Sequence, residues 1–409
     1  MMPVQPDVDW VRLSFVDVFG ATHSVQLPAA NFPQAVDHGA PFDGSALEGR
    51  ARHLEEDMLL RPDPDTLVDM GERVARVACT VWTPGGRRWP GDPRTALGLV
   101  CDDLAELADG WRASAEMEFY LLDAAGQPVD RGGYFSEVEG AGMAVARSAG
   151  SRLAGVGVQV EGCHHESGPG QFEIDVAPLA PLALADALVL VRLVVRDQAA
   201  ARGLRATFMP RPIDGEAGSG LHLHQRVDGT LAGDGHLSEP GGRFLAGQLA
   251  HASGLCALGA PTVNSYKRLH SGPEAPSAAV WAHVNRGALL RVAAGGLEFR
   301  GADPLANPYL LIAGLLVAGA DGMETDLELP PPEEEDFYGW DPAAYDKARF
   351  VPLPRDLDAA LDALMADDVL VDAFDGALLS RLVDGRRAEI AEYRSRVTPW
   401  ELERYFDEG

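Results

Sequence analysis

Glu116 and Glu118 stand two apart in "SAEMEFYLL" (114–122), a run whose other members are small, apolar or aromatic. "GSGLHLHQ" (218–225) repeats that spacing with His222 and His224, and "GLEFRGAD" (296–303) repeats it with Glu298 and Arg300. In "CHHESGPGQFEID" (163–175) Glu166 precedes a Gly-Pro-Gly turn, and Gln171, Glu173 and Asp175 alternate after it. On a strand, residues two apart share a face, about 7 Å from one another. Each segment then has one apolar face and one face of carboxylates, imidazoles or guanidinium. Taken singly, these are solvated strand faces, a satisfied histidine pair or a cross-strand ion pair. Taken together they pose a problem of charge. Like charges on one buried face repel, and one of each pair stays protonated unless a cation lies between them. Carboxylates with an imidazole suit hard divalent cations such as Mg²⁺ or Mn²⁺. The set is large enough for two ions, and a two-ion centre suits phosphoryl chemistry.

Phosphoryl chemistry also needs fixed positive charge, and arginine matches planar oxyanions. Arg268 in "NSYKRL", Arg286 and Arg291 in "NRGALLR", and Arg300 supply it late in the chain. Neither GxxxxGK[ST] nor GxGxxG occurs, which excludes P-loop and Rossmann nucleotide sites. Any ATP is then held by metal ions and arginines.

The elements that must position these groups fall into two parts. "WVRLSFVDVFGATHSVQL" (10–27) alternates around Phe19–Gly20 as a hairpin does. A short helix is expected over 29–38, a glycine-containing loop over 40–50, and strands in "TLVDM" and "VARVACTVW" (66–82). "TPGGRRWPGDPR" (83–94) marks a domain boundary, so residues 1–90 read as a small α+β domain and 91–409 as a larger one. In the larger part a helix starts near Pro93, and a long one runs through 178–202 to Gly203. The apolar run 310–320 is too short to span a bilayer and reads as a buried helix. Amphipathic helices fill the C-terminal third, and "PPPEEEDFYGWD" (330–341) reads as a solvated acidic loop.

With 409 residues, 46% of them hydrophobic, the chain can bury a large core. Its net charge is −28, and Lys267 and Lys347 are its only lysines. An acidic chain without a basic run speaks against nucleic acid or an anionic membrane as partner. Cys79, Cys101, Cys163 and Cys256 form no CxxC pair, so neither a disulfide framework nor a thiolate zinc site is suggested. The N-terminus shows no signal peptide, and a cytoplasmic location is expected.

The chain resembles the glutamine synthetase family over nearly its whole length. "FDGSALEG", "EDMLLRPDPDT", "AEMEFYLL", "GGYF", "HHESGPGQFEID", "ATFMPRP", "GSGLHLH", "APTVNSYKRL", "NRGALLR" and "LEFRGADPLANPYLLIAGLLVAGADGM" occur in that family's order. The resemblance implies an α+β fold: a small N-terminal β-grasp-like domain and a larger catalytic domain with a curved antiparallel sheet flanked by helices. It implies two or more Mg²⁺ or Mn²⁺ ions per subunit. Glu118, Glu166 and Glu173 match the ligands of the ion that helps bind the amino acid. Glu116, His222 and Glu298 match those of the ion that bridges the ATP phosphates. Arg268 and Arg300, with Gly218, match the glutamate site; Arg286 and Arg291 match phosphate ligands, and His224 a residue near the nucleotide. Glu274 matches a flap glutamate, Asp43 an aspartate inserted by a neighbouring subunit, and Tyr134 an aromatic lining the amine site beside Glu166. The implied partners are ATP, glutamate, an amine or ammonium, and copies of the chain itself, in a ring-shaped oligomer, a dodecamer of two hexamers.

Four positions depart from the family pattern: Ala46 replaces a serine at the ammonium side, Ala217 an asparagine, Arg226 a serine, and Gly296 an ATP-binding arginine. No adenylylation is expected at Tyr338. Because the changes touch the amine entrance and the phosphate periphery, the expectation is a γ-glutamyl–amine ligase, with ammonium as the competing substrate. Retention of the metal ligands, Asp43 and Glu274 speaks against a non-catalytic relative, and the flap motif and arginines against a metal-dependent hydrolase.

Overall fold

The computed structural model describes residues 7–48, 57–229, 237–270, 275–293, 296–335 and 350–408. Strands β1 (Trp10–Val16) and β2 (Thr22–Pro28) form the expected hairpin. Its turn is held by Asp17, whose carboxylate accepts the N–H groups of Phe19 and Ala21, and Gly20 sits at φ +88°. A helix follows over Phe32–His38, then β3 (Ala40–Asp43), β4 (Asp57–Pro62), β5 (Val68–Asp69) and β6 (Val74–Trp82). The sheet runs β2-β1-β6-β4-β3, with β5 on β6; β1 and β6 are parallel and every other pair is antiparallel. β3 corrects the loop expected over 40–50. Pro41 and Gly44 gave that stretch a turn signature, yet Ala40 and Phe42 alternate inward on the edge of the sheet.

The larger domain is built on β7 (Trp111–Leu122), β8 (Val160–His165), β9 (Gln171–Leu179), β10 (Arg205–Thr207), β11 (Leu221–Val227), β12 (Trp281–Ala282), β13 (Leu290–Ala293) and β14 (Gly296–Ala302). Their order is β12-β13-β14-β11-β7-β9-β8, with β10 beside the end of β7. The pairing is antiparallel except for β12 and β13, a two-residue parallel pairing at the edge, so the sheet is mixed. One face is apolar: Ala115, Met117 and Phe119 of β7, Ile174 of β9, Leu223 of β11 and Phe299 of β14 are all within 1% of full burial. Helices Pro181–Ala200 and Pro308–Glu324 belong to the same core. Burying each such aliphatic or aromatic side chain contributes about 1.5–3 kcal/mol. The second helix contains the apolar run 310–320, starts with Pro308, and is capped by Asn307, whose side chain accepts the Tyr309 N–H. No described helix is long and apolar enough to cross a membrane.

The two domains meet at a buried network. The Arg94 guanidinium donates to Asp186 from Nε (3.0 Å) and Nη2 (2.8 Å), and Nη2 reaches Asp63 of the small domain at 2.8 Å. The Tyr309 hydroxyl donates to the same Asp186 carboxylate at 2.6 Å. The β1–β2 turn docks as well, its Asp17 carbonyl accepting from the Asn307 side chain and its Phe19 carbonyl from Arg386.

Candidate active site

With its apolar face covered by helices, the large sheet turns its polar face into a cavity of about 170 Å³. Strand β7 is the axis. Glu116 pairs in register with His222 on β11 and Asp175 on β9, and Glu118 pairs with Glu173 on β9. His224 lies opposite Glu298 on β14, Arg291 of β13 lies on the far side of Glu298, and His164 of β8 lies opposite Glu173. Alternation within each strand thus brings residues remote in sequence onto one face.

The charges divide this face in two. Around Glu116 and Glu298 the negative charge is already matched. Burial opposes ionisation of Glu116, but hydrogen bonds from His222 Nδ1 (3.1 Å) and His224 Nε2 (2.8 Å) hold its carboxyl far below the usual range. Glu298 is likewise held low against burial, by Arg300 foremost, which donates to it, and by the histidines and Arg291, whose Nη1 stands 2.9 Å away. Burial, aided by Arg300, pushes His222 down to about 4, so its imidazole is neutral at physiological pH. Around Glu118, Glu166 and Glu173 three carboxylates crowd together. Burial and then Glu166 push Glu118 up to about 8, while burial and then Glu118 push Glu173 up to about 11. These two carboxyls are 7% and 5% exposed. Two buried carboxylates in register ionise together only around a cation, and five carboxylates line the cavity against three arginines. The donor set, oxygen-rich with imidazole, fits Mg²⁺ or Mn²⁺.

Ligand atoms converge within 4.8 Å in three groups among the described residues: Glu116, His224 and Glu298; Glu116, Glu173 and His222; His164, Glu166 and Glu173. Five of the six metal ligands expected from sequence are among them, grouped differently, with Glu116 and Glu173 each in two groups and His164 and His224 added. Glu118 stands outside them, its Oε2 accepting from Gln171 Nε2 at 2.8 Å.

Residues 90–405 match the family model described as the glutamine synthetase catalytic domain, and residues 7–84 match the glutamine synthetase beta-Grasp domain. The chain belongs to the glutamine synthetase family. A glutamine synthetase of Thermus thermophilus is 38% identical over 98% of this chain and 96% of its own length, and one of Thermotoga maritima 36% over 98% and 97%. Among solved structures, one titled "GmaS/ADP complex-Conformation 1" superposes with a TM-score of 0.88 at 30% identity, covering 98% of this chain and 97% of that one. Membership makes the protein an ATP-dependent carboxylate–amine ligase of the glutamine synthetase type.

Not every residue picked out by resemblance to glutamine synthetases reaches the cavity. Arg286, Arg291, Arg300 and Tyr134 line it. Arg268 and Gly218 stand behind its wall: Arg268 is buried and donates to the Arg300 carbonyl at 3.2 Å, and a Cβ on Gly218 would come within 2.7 Å of Arg268 Cγ. Asp43 lies on β3, exposed and held by the Ser45 hydroxyl at 2.6 Å, and is not among the residues lining the cavity of its own protomer. Glu274 and Tyr338 fall outside the described residues. Ala46 is half-buried against the core of the small domain. The Ala217 carbonyl accepts the Tyr120 hydroxyl at 2.7 Å.

Three site residues escaped the reading of the sequence. His164 lies 3.1 Å from Glu173 and 3.4 Å from Glu166. Continuing the alternation backwards from Glu166 would have found it, since residues 164 and 166 share a parity. Phe135 leans on the His164 ring with centroids 4.5 Å apart. Gly220 permits the ligands to crowd, since a Cβ there would come within 2.6 Å of His222 Nε2 and 3.1 Å of Glu118 Oε1.

The acidic segment 330–335 is an exposed loop, as expected, and it also clamps a neighbouring turn. Glu334 accepts the N–H groups of His283 (2.7 Å), Val284 (2.9 Å) and Asn285 (3.2 Å), and Asn285 Nδ2 returns a bond to the Glu335 carbonyl at 2.7 Å. Burial opposes ionisation of this carboxyl, but the three N–H donors together hold it below its ordinary value. The clamped turn leads directly into Arg286. Glu334→Ala should lower kcat about tenfold, the scale of losing hydrogen bonds to a charged group. Glu334→Asp should recover part of that loss; equal activity for wild type and Glu334→Ala in steady-state assays would remove this role.

Proposed function

We propose that this ligase joins the γ-carboxylate of glutamate to a small organic amine through a γ-glutamyl phosphate, releasing ADP and phosphate. The observation that carries the choice of amine is the apolar wall beside Glu166 and Glu173. Tyr134 and Phe135 stand 4.4 Å apart at their centroids, and Phe135 covers His164. An alkyl group finds contact there that ammonium cannot use. The structural likeness to GmaS, a gamma-glutamylmethylamide synthetase, points the same way. A plain glutamine synthetase remains the second reading, favoured by the higher identity to the Thermus thermophilus enzyme.

In this reading Glu118, Glu166 and Glu173, with His164, hold one divalent ion, and Glu116, His222 and Glu298 hold another. Bound ions would supply charge neutralisation for the phosphates and the reacting carboxylate. Arg300 orients glutamate by its α-carboxylate, braced from behind by Arg268, which donates to the Arg300 carbonyl and for which Gly218 leaves room. A γ-carboxylate oxygen attacks the γ-phosphorus of ATP while Arg286 and Arg291 donate to the phosphoryl oxygens, and ADP departs. His224 keeps Glu116 ionised beside the nucleotide. The amine, having lost a proton to Asp43 of a neighbouring subunit or to Glu274, attacks the acyl carbon and expels phosphate. Closure over the site protects the acyl phosphate from water. Because Asp43 does not line the cavity of its own protomer, a site completed between subunits is part of the proposal, with a dodecameric ring as the expected assembly.

The test is phosphate release with ATP, Mg²⁺ and L-glutamate against methylamine, ethylamine and ammonium, with products identified by mass. The expected preference for an alkylamine over ammonium is about 10- to 200-fold in kcat/KM, the range one methyl-sized contact supplies. Turnover with ammonium alone would overturn the organic-amine reading in favour of the second one.

A further inference from the structure

Arg226 is the third polar residue on one face of β11: His222, His224 and Arg226 share parity, while Leu221, Leu223 and Gln225 are buried on the other. Across β14 the same face carries Arg300, Glu298 and Gly296. The inner rows hold the ligands. The outermost row runs from Arg112 on β7, the register partner of Arg226, through Arg226 and Gly296 to Ala293 on β13. Gly296 cannot readily bear a side chain, because a Cβ there would stand 2.9 Å from the Gln225 carbonyl oxygen. That same point lies 3.6 Å from Arg226 Cγ, so the Arg226 stem runs beside the space over Gly296. Arg112 is otherwise engaged, its Nη1 donating to the carbonyls of Asp109 (3.0 Å) and Trp111 (2.7 Å).

We propose that Arg226 is a nucleotide-binding residue of this enzyme, crossing side-chain-free Gly296 to pair with the phosphate chain of ATP outward of Arg291. The proposal rests on the ligase reading above. A guanidinium meets phosphate oxygens through two N–H groups at once, which an ammonium does less well. The row inward of it carries Arg291 and His224, so an anion lying along the sheet passes from them to Arg226. In a chain of net charge −28, an exposed arginine at the rim also lowers the barrier that a polyanion meets on approach. The arginine expected at position 296 by resemblance is thereby supplied from the adjacent strand.

The experiment measures binding of ADP with Mg²⁺, and of inorganic tripolyphosphate with Mg²⁺, by calorimetry at fixed ionic strength. Wild type, Arg226→Ser and Arg226→Lys are compared, with KM for ATP read in parallel. Arg226→Ser should weaken both ligands about tenfold to a hundredfold, with Arg226→Lys in between. Equal affinity of Arg226→Ser and wild type for both ligands would overturn the proposal while leaving the ligase reading standing. Loss of ADP affinity with tripolyphosphate affinity intact would move Arg226 to the base and overturn the phosphate contact. A wild type that binds neither ligand would sink the ligase reading itself, and this proposal with it.

Discussion

Glu173→Gln should abolish magnesium-dependent turnover, with kcat falling by more than about 100-fold, since even the outer partners of metal ligands cost 10- to 100-fold when removed. The residue is 5% exposed, faces Glu118 in register, and belongs to two of the three groups of converging ligand atoms. The amide keeps the shape and removes the charge, so stability should move in the opposite direction from activity. In the metal-free protein, burial and Glu118 push the Glu173 carboxyl up to about 11 from an ordinary 4.5. Its contribution to stability is therefore fully present below about pH 4.5 and is lost as pH rises toward 11. At neutral pH the metal-free wild type carries that cost and the glutamine variant does not. Thermal melts in EDTA should show the variant at least as stable as wild type, and added Mg²⁺ should raise the Tm of the wild type more than that of the variant. A variant that keeps wild-type turnover, or gains as much Tm from Mg²⁺, would remove Glu173 from the metal site.

Arg94→Met should destabilise the fold by about 3–5 kcal/mol, the cost of stranding one partner of a buried ion pair. Asp186 would be left in the core with the Tyr309 hydroxyl as its remaining bond from this network. Arg94 is buried, and although burial disfavours its charge, the bonds to Asp186 hold its pKa above the ordinary value. Replacing both members, as in Arg94→Met with Asp186→Leu, should restore much of the loss, because an apolar pair of similar volume is often as stable as the ion pair it replaces. Tyr309→Phe should cost about 1 kcal/mol, a single net hydrogen bond. Urea titrations of the four proteins check the pattern. A double variant no more stable than Arg94→Met would show that the loss comes from packing rather than from stranded charge.

Much of the site could be read from the chain because period-two alternation survives in strands whose other face is core. The pairs Glu116 and Glu118, His222 and His224, and Glu298 and Arg300 are each legible within one strand. What alternation cannot convey is which strands become neighbours. The pairing of Glu116 with His222, and the sharing of Glu116 between two ligand groups, depend on β7 lying between β9 and β11. His164 is hard to read because Glu166 directly precedes the Gly-Pro-Gly turn, where strand alternation breaks off. β3 was hidden by its brevity: two inward residues beside a proline and a glycine carry too little pattern to outweigh turn chemistry. Glu334 was hidden for a different reason. A carboxylate that caps a turn remote in sequence is indistinguishable by composition from one that faces water.

The placement of β7 also bears on how the molecule assembles as it folds. Its partners β9, β11 and, through β11, β14 arrive progressively later along the chain, and each brings a different ligand. Contacts of such sequence separation form slowly, after long loops have been closed. A chain that has emerged as far as β9 therefore holds only the Glu118, His164, Glu166 and Glu173 set, and the set of Glu116, His222 and Glu298 waits for β11 and β14. Capture of the second ion becomes a late event of folding, and in a refolding experiment it should trail capture of the first.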